Sequence, residues 1–572
     1  MNVGPQTEKG IPKVPSMTPD KFLKNRNQLN LIIMHISDDE VLKIIEKLPN
    51  KSFGPASIPL RLLKVIADLI VMPLCHIINL SFSSGVFPEV WKIAKVIPLH
   101  KGGSTEELNN FRPISLLSIF DKIIEKLMHV RLYSFLEEND VFCKNQYGFK
   151  KKSNCAHSLI EMTEKIKESV DNGKFGCGIF IDLKKAFDTV NHKILLHKLE
   201  HYGVRGAPLK WFESYLSNRK QYVYYNGVAS EVLTITCGVP QGSVLGPLLF
   251  LVYINDLPNI SDKLDFFLFA DDTNIYFESD DLVTMERTVN EEIKKLCLWL
   301  NLNRLALNVS KTNFVIFRAN KSLYHNVTLI MNRKAIQQTK QVKYLGVFVD
   351  EHLNWNYHIS QVAKKIGRGI GIIAKLRQYL NLDMLKNVYY CLVYSHLSYG
   401  VQVWGSAGTS SLKKLVILQK KAVRILSNKQ YFQIHGEPYG PLPASDPLFK
   451  NLEILKLHDI FRLNVVKFVY ETLIYESPQN FWTWFTYSHQ VHSYATKSST
   501  VVSCDNYFDT GTLEPTLTLR IEKSKLVKYG DRLMKVLGPQ MWNVLPSDIQ
   551  ESASVNIFKK DVKTFYFSQY AS

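Results

Sequence analysis

The chain has 572 residues, 46% hydrophobic and 21% charged, which excludes wholesale disorder and leaves room for a large core with three or more subdomains. Its 70 lysines and arginines exceed its 52 aspartates and glutamates, for a formal net charge of +18. That excess points to a polyanionic partner, nucleic acid first and an anionic membrane surface second.

Residues 1–34 carry no signal-peptide or transit-peptide pattern and read as a frayed or linking segment. From 38 to 84 the pattern is helical, opened by Ser37 ahead of an acidic first turn. "GPASIP" (54–59) reads as a turn. The longest apolar run, 66–82, contains Asp68, Pro73 and His76 and reads as a buried helix, not a membrane span. A strand running into a Gly-rich tip is predicted over 91–104, and a long amphipathic helix over 114–139. "CGIFIDLKKAFDTV" (177–190) reads as a buried strand, a tight turn and a helix start. Residues 221–236 read as a hairpin turning at Asn226–Gly227, and 238–258 as a loop followed by an apolar helix. "LDFFLFADDTNIYF" (264–277) is a hairpin with two aspartates at its tip. A helix over 281–303 and strands over 313–317 and 342–350 follow. Residues 355–430 are helical and strongly basic, from Lys364 to Lys429, with Asp383 as the lone acid. A Pro/Gly-rich linker (435–447) leads to a region of mixed patterning that ends at 572. The eight cysteines form no C-x-x-C pair and read as free thiols of a reducing compartment. The fold class is α+β, with a basic helical subdomain after the sheet.

The chemistry is concentrated where apolar strands end in acids. "IFIDL" places Asp182 after one strand, and "FLFADD" places Asp271 and Asp272 after another. Carboxylates in such surroundings are costly unless paired or metal-bound. If the strands are neighbours, the acids converge into a set of hard oxygen ligands suited to Mg²⁺ and phosphoryl transfer. By itself "ADD" reads more readily as a hairpin turn than as a site.

The surrounding motifs resemble, in order, those of reverse transcriptases of non-LTR retrotransposons, especially the jockey-like group. "KSFGPASIPLRLLK" (51–64), "VIPLHKGG" and "NNFRPISLLSIFDKIIEKL" resemble the opening and fingers segments. "FIDLKKAFDTVNH", "GVPQGSVLGPLLFLVYINDL" and "FADDT" resemble motifs A, B and C; "LNVSKTNFVIF" resembles motif D and "YLGVFVD" the primer-grip turn.

The resemblance implies a right-hand polymerase: fingers and an antiparallel-sheet palm over 35–350, a basic helical thumb over 351–432, and a C-terminal extension over 433–572 of no assigned role. It implies an RNA-directed DNA polymerase that extends a DNA primer on an RNA template with dNTPs, using two Mg²⁺ ions, or Mn²⁺ in their place. Asp182, Asp271 and Asp272 match its catalytic, metal-binding acids, and the Leu183 carbonyl a further metal contact. Lys101 and Arg112 match residues that grip the triphosphate. Phe187 matches the aromatic under the sugar, where it leaves no room for a 2′-hydroxyl. Gln241 and Gly242 match the loop beside the nucleotide, and Lys311 a general acid toward pyrophosphate. Asp188 reads better as a helix-start or hydrogen-bonding residue than as a ligand.

About 35 residues ahead of the pattern are too few for a nuclease domain, so an endonuclease is not expected in this chain. The expected location is intracellular, nucleus or cytoplasm, without membrane attachment. Two other readings compete. One is an RNA-dependent RNA polymerase, against which Phe187 and Ala270 stand. The other is a catalytically idle or co-opted nucleic-acid-binding relic, against which the intact acids stand.

Overall fold

Ser37 caps the first long helix as its position predicts. In α1 (Asp38–Lys47) the Ser37 hydroxyl accepts from Glu40 N while the Glu40 carboxylate accepts from Ser37 N, a reciprocal capping box. This computed structural model describes residues 17–24, 26–49, 58–319, 324–435, 445–491 and 517–570, with Ile11 and Gly54. Half of the predicted 54–59 turn and most of the 435–447 linker lie outside the described residues. Residues 26–31 of the expected N-terminal linker are held: Asn27 N donates to His201 O, Leu31 N to Gly203 O, and Arg205 reaches the Asn27 carbonyl.

Helix α2 (Ala67–Ser84) departs from expectation. Val71, Leu74, Ile78 and Phe82 are buried, whereas Leu69 is 80% and Met72 69% exposed. The helix is apolar all round but packs on one side only. By length and composition it is the one helix among the described residues able to cross a membrane.

Two five-stranded sheets organise the first 340 residues. In the first, β1 (Ile93–His100) pairs antiparallel with β2 (Phe111–Leu116). Helices α3 (Ile119–Glu138) and α4 (Cys155–Asp171) then lead to β3 (Phe175–Ile181), the centre of the second sheet. After α5 (Ala207–Leu216), the chain returns to the first sheet through β4 (Lys220–Tyr225), parallel to β1, and β5 (Val228–Ala229). The β4–β5 turn lies at Asn226 (φ 49°) and Gly227 (φ 85°), the left-handed pair that a two-residue hairpin requires. Helix α6 (Leu245–Ile254) has nine of its ten residues buried, as its unbroken apolar pattern predicts.

The second sheet is completed by β6 (Asp265–Phe269), β7 (Asp272–Ser279) and β8 (Asn313–Phe317), with α7 (Leu282–Leu302) between the last two. Its order is Gln337–Gln338, β8, β3, β7, β6, and all pairings but the Gln337–Gln338 edge are antiparallel. All of β3 is buried because both of its faces are covered. Phe175, Cys177, Ile179 and Ile181 join a core shared with α3 and α6, while Phe180 faces a second core. On that second face Gly176 and Gly178 make room for rings: a Cβ would stand 2.1 Å from Tyr276 Oη and 2.8 Å from the Phe317 ring.

The hairpin of β9 (Gln341–Tyr344) and β10 (Val347–Asp350) precedes the basic helices. These are led by α8 (Asn356–Leu376), packed on α9 (Thr409–His435). Lys364, Lys365, Arg368, Lys375, Lys413 and Lys414 are all exposed. The last region contains α10 (Leu457–Leu473), α11 (Met534–Trp542) and α12 (Val555–Ser568), and its apolar residues continue the second core. The architecture is α+β.

Candidate active site at the end of the central sheet

Strand register brings the three acids together. Ile181, the last residue of β3, pairs with Thr273, so Asp182 follows directly beside Asp272. Phe269 pairs with Asp272 across the β6–β7 hairpin, leaving Ala270 and Asp271 as its two-residue turn. Ala270 adopts a left-handed φ of 56°. Asp271 sits at the tip as predicted, whereas Asp272 is already the first residue of β7.

None of the three aspartates forms an ion pair with a lysine or arginine among the described residues. Asp271 and Asp272 are both exposed, yet partial desolvation by the surrounding chain raises both carboxyls. For Asp272 the charges of Asp271 and Asp182 raise it further, to about 6; for Asp271 the Asp182 charge raises it while Arg112 and Lys101 oppose. Like charges crowded without a cation are what a divalent ion would relieve, and the donors are hard oxygens, so the set fits Mg²⁺. Among the described residues no group of three His, Cys, Asp or Glu side chains is already drawn into a metal cage.

The segment 306–312 holds Asp182. Asn308 Nδ2 donates to Asp182 Oδ2 at 2.7 Å, and Asn308 N donates to the Asp182 carbonyl at 2.8 Å. Lys184 N donates to Ala306 O. This pairing leaves the Leu183 carbonyl out of the Leu183–Leu307 bridge. Lys311 is exposed one turn beyond Asn308, its amide on the Asn308 carbonyl. Asn308 was not singled out from sequence; its signal is its position three residues before Lys311 in "NVSK".

The loop 238–243 is stitched to the turn after Asp182. Gly238 N donates to Val190 O at 2.7 Å and Val239 N to Phe187 O at 2.8 Å. Gln241 Nε2 donates to Asp188 Oδ1 at 2.8 Å, so Asp188 acts here as a hydrogen-bond acceptor. The Asp188 carboxyl is raised by burial, opposed by Gln241. Gly242 has φ 125°, and a Cβ on it would stand 2.5 Å from Ser115 O. Phe187 is half-buried and stacks on Phe250 of α6, with centroids 4.5 Å apart. Lys101 and Arg112 lie exposed on the β1–β2 hairpin, near enough for their charges to act on Asp271. Asp182 is thus tied to the 306–312 segment, the turn after it to the 238–243 loop, and the Lys101 and Arg112 charges act toward Asp271.

Residues 145–148, "NQYG", had drawn no notice in the sequence. They meet the β6 edge at a single parallel bridge, Gln146 to Leu268: Leu268 N donates to Asn145 O and Tyr147 N to Leu268 O. Buried Gln146 accepts from Ala270 N at 3.0 Å and from Gly148 N at 2.8 Å through its Oε1. It thereby fixes the turn that carries Asp271.

Beneath the 238–243 loop lies a second unanticipated group. Glu125 of α3 is fully buried and accepts from Val244 N at 2.6 Å and from the Tyr215 hydroxyl. Its neighbours Asp121 and Arg219 form a buried ion pair at 3.0 Å. Two acids thus share one base. Burial and then the Asp121 charge push the Glu125 carboxyl up to about 8, against Arg219. A carboxyl raised on folding stabilises the fold while protonated, and that stabilisation is lost as pH rises through its folded value. The melting temperature should therefore fall as pH rises from the carboxyl's ordinary value of 4.5 to its folded value of about 8, and level off above it. Glu125→Gln, which mimics the protonated acid, should flatten that dependence in a thermal-melt series; an unchanged slope would contradict the assignment.

Comparison with known proteins agrees with this geometry. Residues 99–349 match the family model described as reverse transcriptase (RNA-dependent DNA polymerase). Over 429 residues the chain is 30% identical to the RNA-directed DNA polymerase from mobile element jockey of Drosophila melanogaster, covering 72% of this chain and 46% of that protein. It is 29% identical over 426 residues to the probable RNA-directed DNA polymerase from transposon BS of the same fly, covering 71% and 46%. It is 27% identical over 417 residues to the corresponding protein of transposon X-element, covering 71% and 45%. These relatives are named as RNA-directed DNA polymerases, two of them probable, of a mobile element and of transposons, and the chain spans about half the length of the curated relatives it matches.

Proposed function

We propose that this chain is an RNA-directed DNA polymerase that extends a DNA 3′-hydroxyl on an RNA template. The observation that carries the reading is the β3–β7 register, which sets Asp182 beside the Asp271–Asp272 turn within a matched reverse transcriptase domain. In this reading the second sheet is the palm, the β1–β2 hairpin belongs to the fingers, and the basic helices from α8 onward are the thumb. Asp182, Asp271, Asp272 and the Leu183 carbonyl would hold Mg²⁺. When bound, two such ions lower the pKa of the attacking hydroxyl and neutralise the phosphates.

The protein's own groups supply positioning. Arg112 grips the incoming triphosphate as a fork and Lys101 as a point charge. Asn308 keeps the Asp182 carboxylate oriented toward its neighbours. Gln241, tied to Asp188, and Gly242 shape the loop beside the nucleotide. Lys311, exposed near Asp182, donates a proton to the leaving pyrophosphate. The exposed lysines and arginines of α8 and α9 bind template–primer phosphates without regard to sequence.

Phe187 stacks on Phe250 and has little freedom to swing aside, which supports its role as the sugar gate. Phe187→Ala should raise incorporation of rNTP relative to dNTP by about tenfold or more, as removal of a steric exclusion permits. An unchanged ratio would contradict the role. The reading as a whole is tested by primer extension on an RNA template with dNTPs and Mg²⁺; failure of the purified chain to make cDNA would sink it.

A further inference from the structure

The region after residue 445 is gripped by one face of α4. Glu164 accepts from Met534 N at 2.8 Å and from Lys535 N at 3.0 Å, at the start of α11. Glu168 pairs with Lys535 at 2.6 Å, and Asp171 accepts from Leu526 N at 2.7 Å. Residues 164, 168 and 171 are one helical stripe, and Glu161 extends it by a further turn. The opposite side of α4 packs on β3 and β6. The last region is therefore fastened to the back of the sheet whose end carries the aspartates.

At Glu161 the stripe meets the active-site scaffold. Asn480 Nδ2 reaches Glu161 Oε1 at 3.1 Å, the Tyr147 hydroxyl at 3.1 Å and the Lys144 carbonyl at 3.2 Å. The Tyr147 hydroxyl also donates to Glu161. Fully buried Phe481 packs against the rings of Tyr147 and His157. Tyr147 lies between Gln146 and Gly148, whose contacts with Ala270 fix the Asp271 turn. A continuous set of contacts thus runs from Asn480 through Tyr147 and Gln146 to Ala270.

We propose that the C-terminal region is a working part of the polymerase, in which Asn480 is a positioning residue that clamps the 144–148 segment and through it the Asp271 turn. The inference rests on the proposed polymerase activity for its consequence, but the clamp itself is measurable without it. The two amide hydrogens of Asn480 are shared among three acceptors, one of them the Glu161 carboxyl, so its loss removes polar contacts from all three. The turn it steadies must hold Asp271 to within a fraction of an ångström for reaction.

The test uses the full chain and two variants, Asn480→Ala and Tyr147→Phe, the second keeping the ring while deleting the hydroxyl. Hydrogen–deuterium exchange should quicken in peptides covering 144–148 and 266–271 and stay unchanged in β3. In primer extension kcat should fall about tenfold in Asn480→Ala, with the KM for dNTP unaltered, because the nucleotide loop is held from elsewhere. Unchanged exchange in both peptides overturns the clamp. Faster exchange with wild-type kcat overturns its role in the reaction. If the wild-type chain makes no cDNA, the polymerase reading falls, and the exchange measurement alone still decides whether the clamp exists.

Discussion

Asp271→Ala should abolish primer extension, lowering it on the order of 10³-fold or more, while leaving the protein at least as stable as wild type. The first half follows from the site. A divalent ion supplies several kcal/mol of transition-state charge stabilisation, and removing a shared ligand forfeits much of it. The second half follows from the charge balance. Partial desolvation and the Asp182 charge raise the carboxyl of the still-exposed Asp271, so folding disfavours its charged form. Deleting the charge relieves that opposition. A polymerase assay beside a thermal melt checks both halves. Residual activity near wild type would remove Asp271 from the reaction. A large loss of melting temperature would instead assign it a structural role.

Gly148→Ala should cost about 100-fold in kcat with little loss of template–primer binding. A Cβ at position 148 would stand 2.4 Å from Ala270 N, an approach that real Cβ atoms do not make. The obstacle is backbone, so relief must come from movement of the 270–271 turn or of the 145–148 segment. Either movement displaces Asp271 relative to Asp182, and a misplacement of about 1 Å at a reacting centre is worth about 100-fold. Steady-state kinetics with a filter-binding or anisotropy control separates this from global unfolding. Wild-type kcat in a folded Gly148→Ala protein would show that the turn tolerates the shift. The same change is expected to weaken the Gln146 contacts, since the Gly148 amide shares the Gln146 Oε1 with Ala270.

The two predictions differ in how they could have been reached. Asp271 was legible in "FLFADDT" because the rule behind it is local. An apolar strand ending in adjacent acids is conspicuous within six residues, and the motifs around it follow in fixed order. The same holds for the Ser37 cap, the Asn226–Gly227 turn and the buried α6 helix. Each depends on neighbours within a few positions, where side-chain period and turn stereochemistry operate. Helix α2 shows the limit of that reasoning. Its composition is apolar on every side, and only the arrangement of the packed helices decided that Leu69 and Met72 stay exposed.

The sequence by itself determined which acids, cations and aromatic belong to the proposed nucleotidyl-transfer site, and that the chain alternates strands with helices around it. Tertiary structure alone decided what holds that site in place. Gln146 acts on a residue 124 positions away, Asn308 on one 126 away, Glu125 on one 119 away and Asn480 on one 319 away. No local period encodes such pairings. They exist because a buried donor or acceptor must find a partner wherever the folded chain brings one within reach, and that meeting place is fixed by the packing of the two sheets and the helices between and behind them.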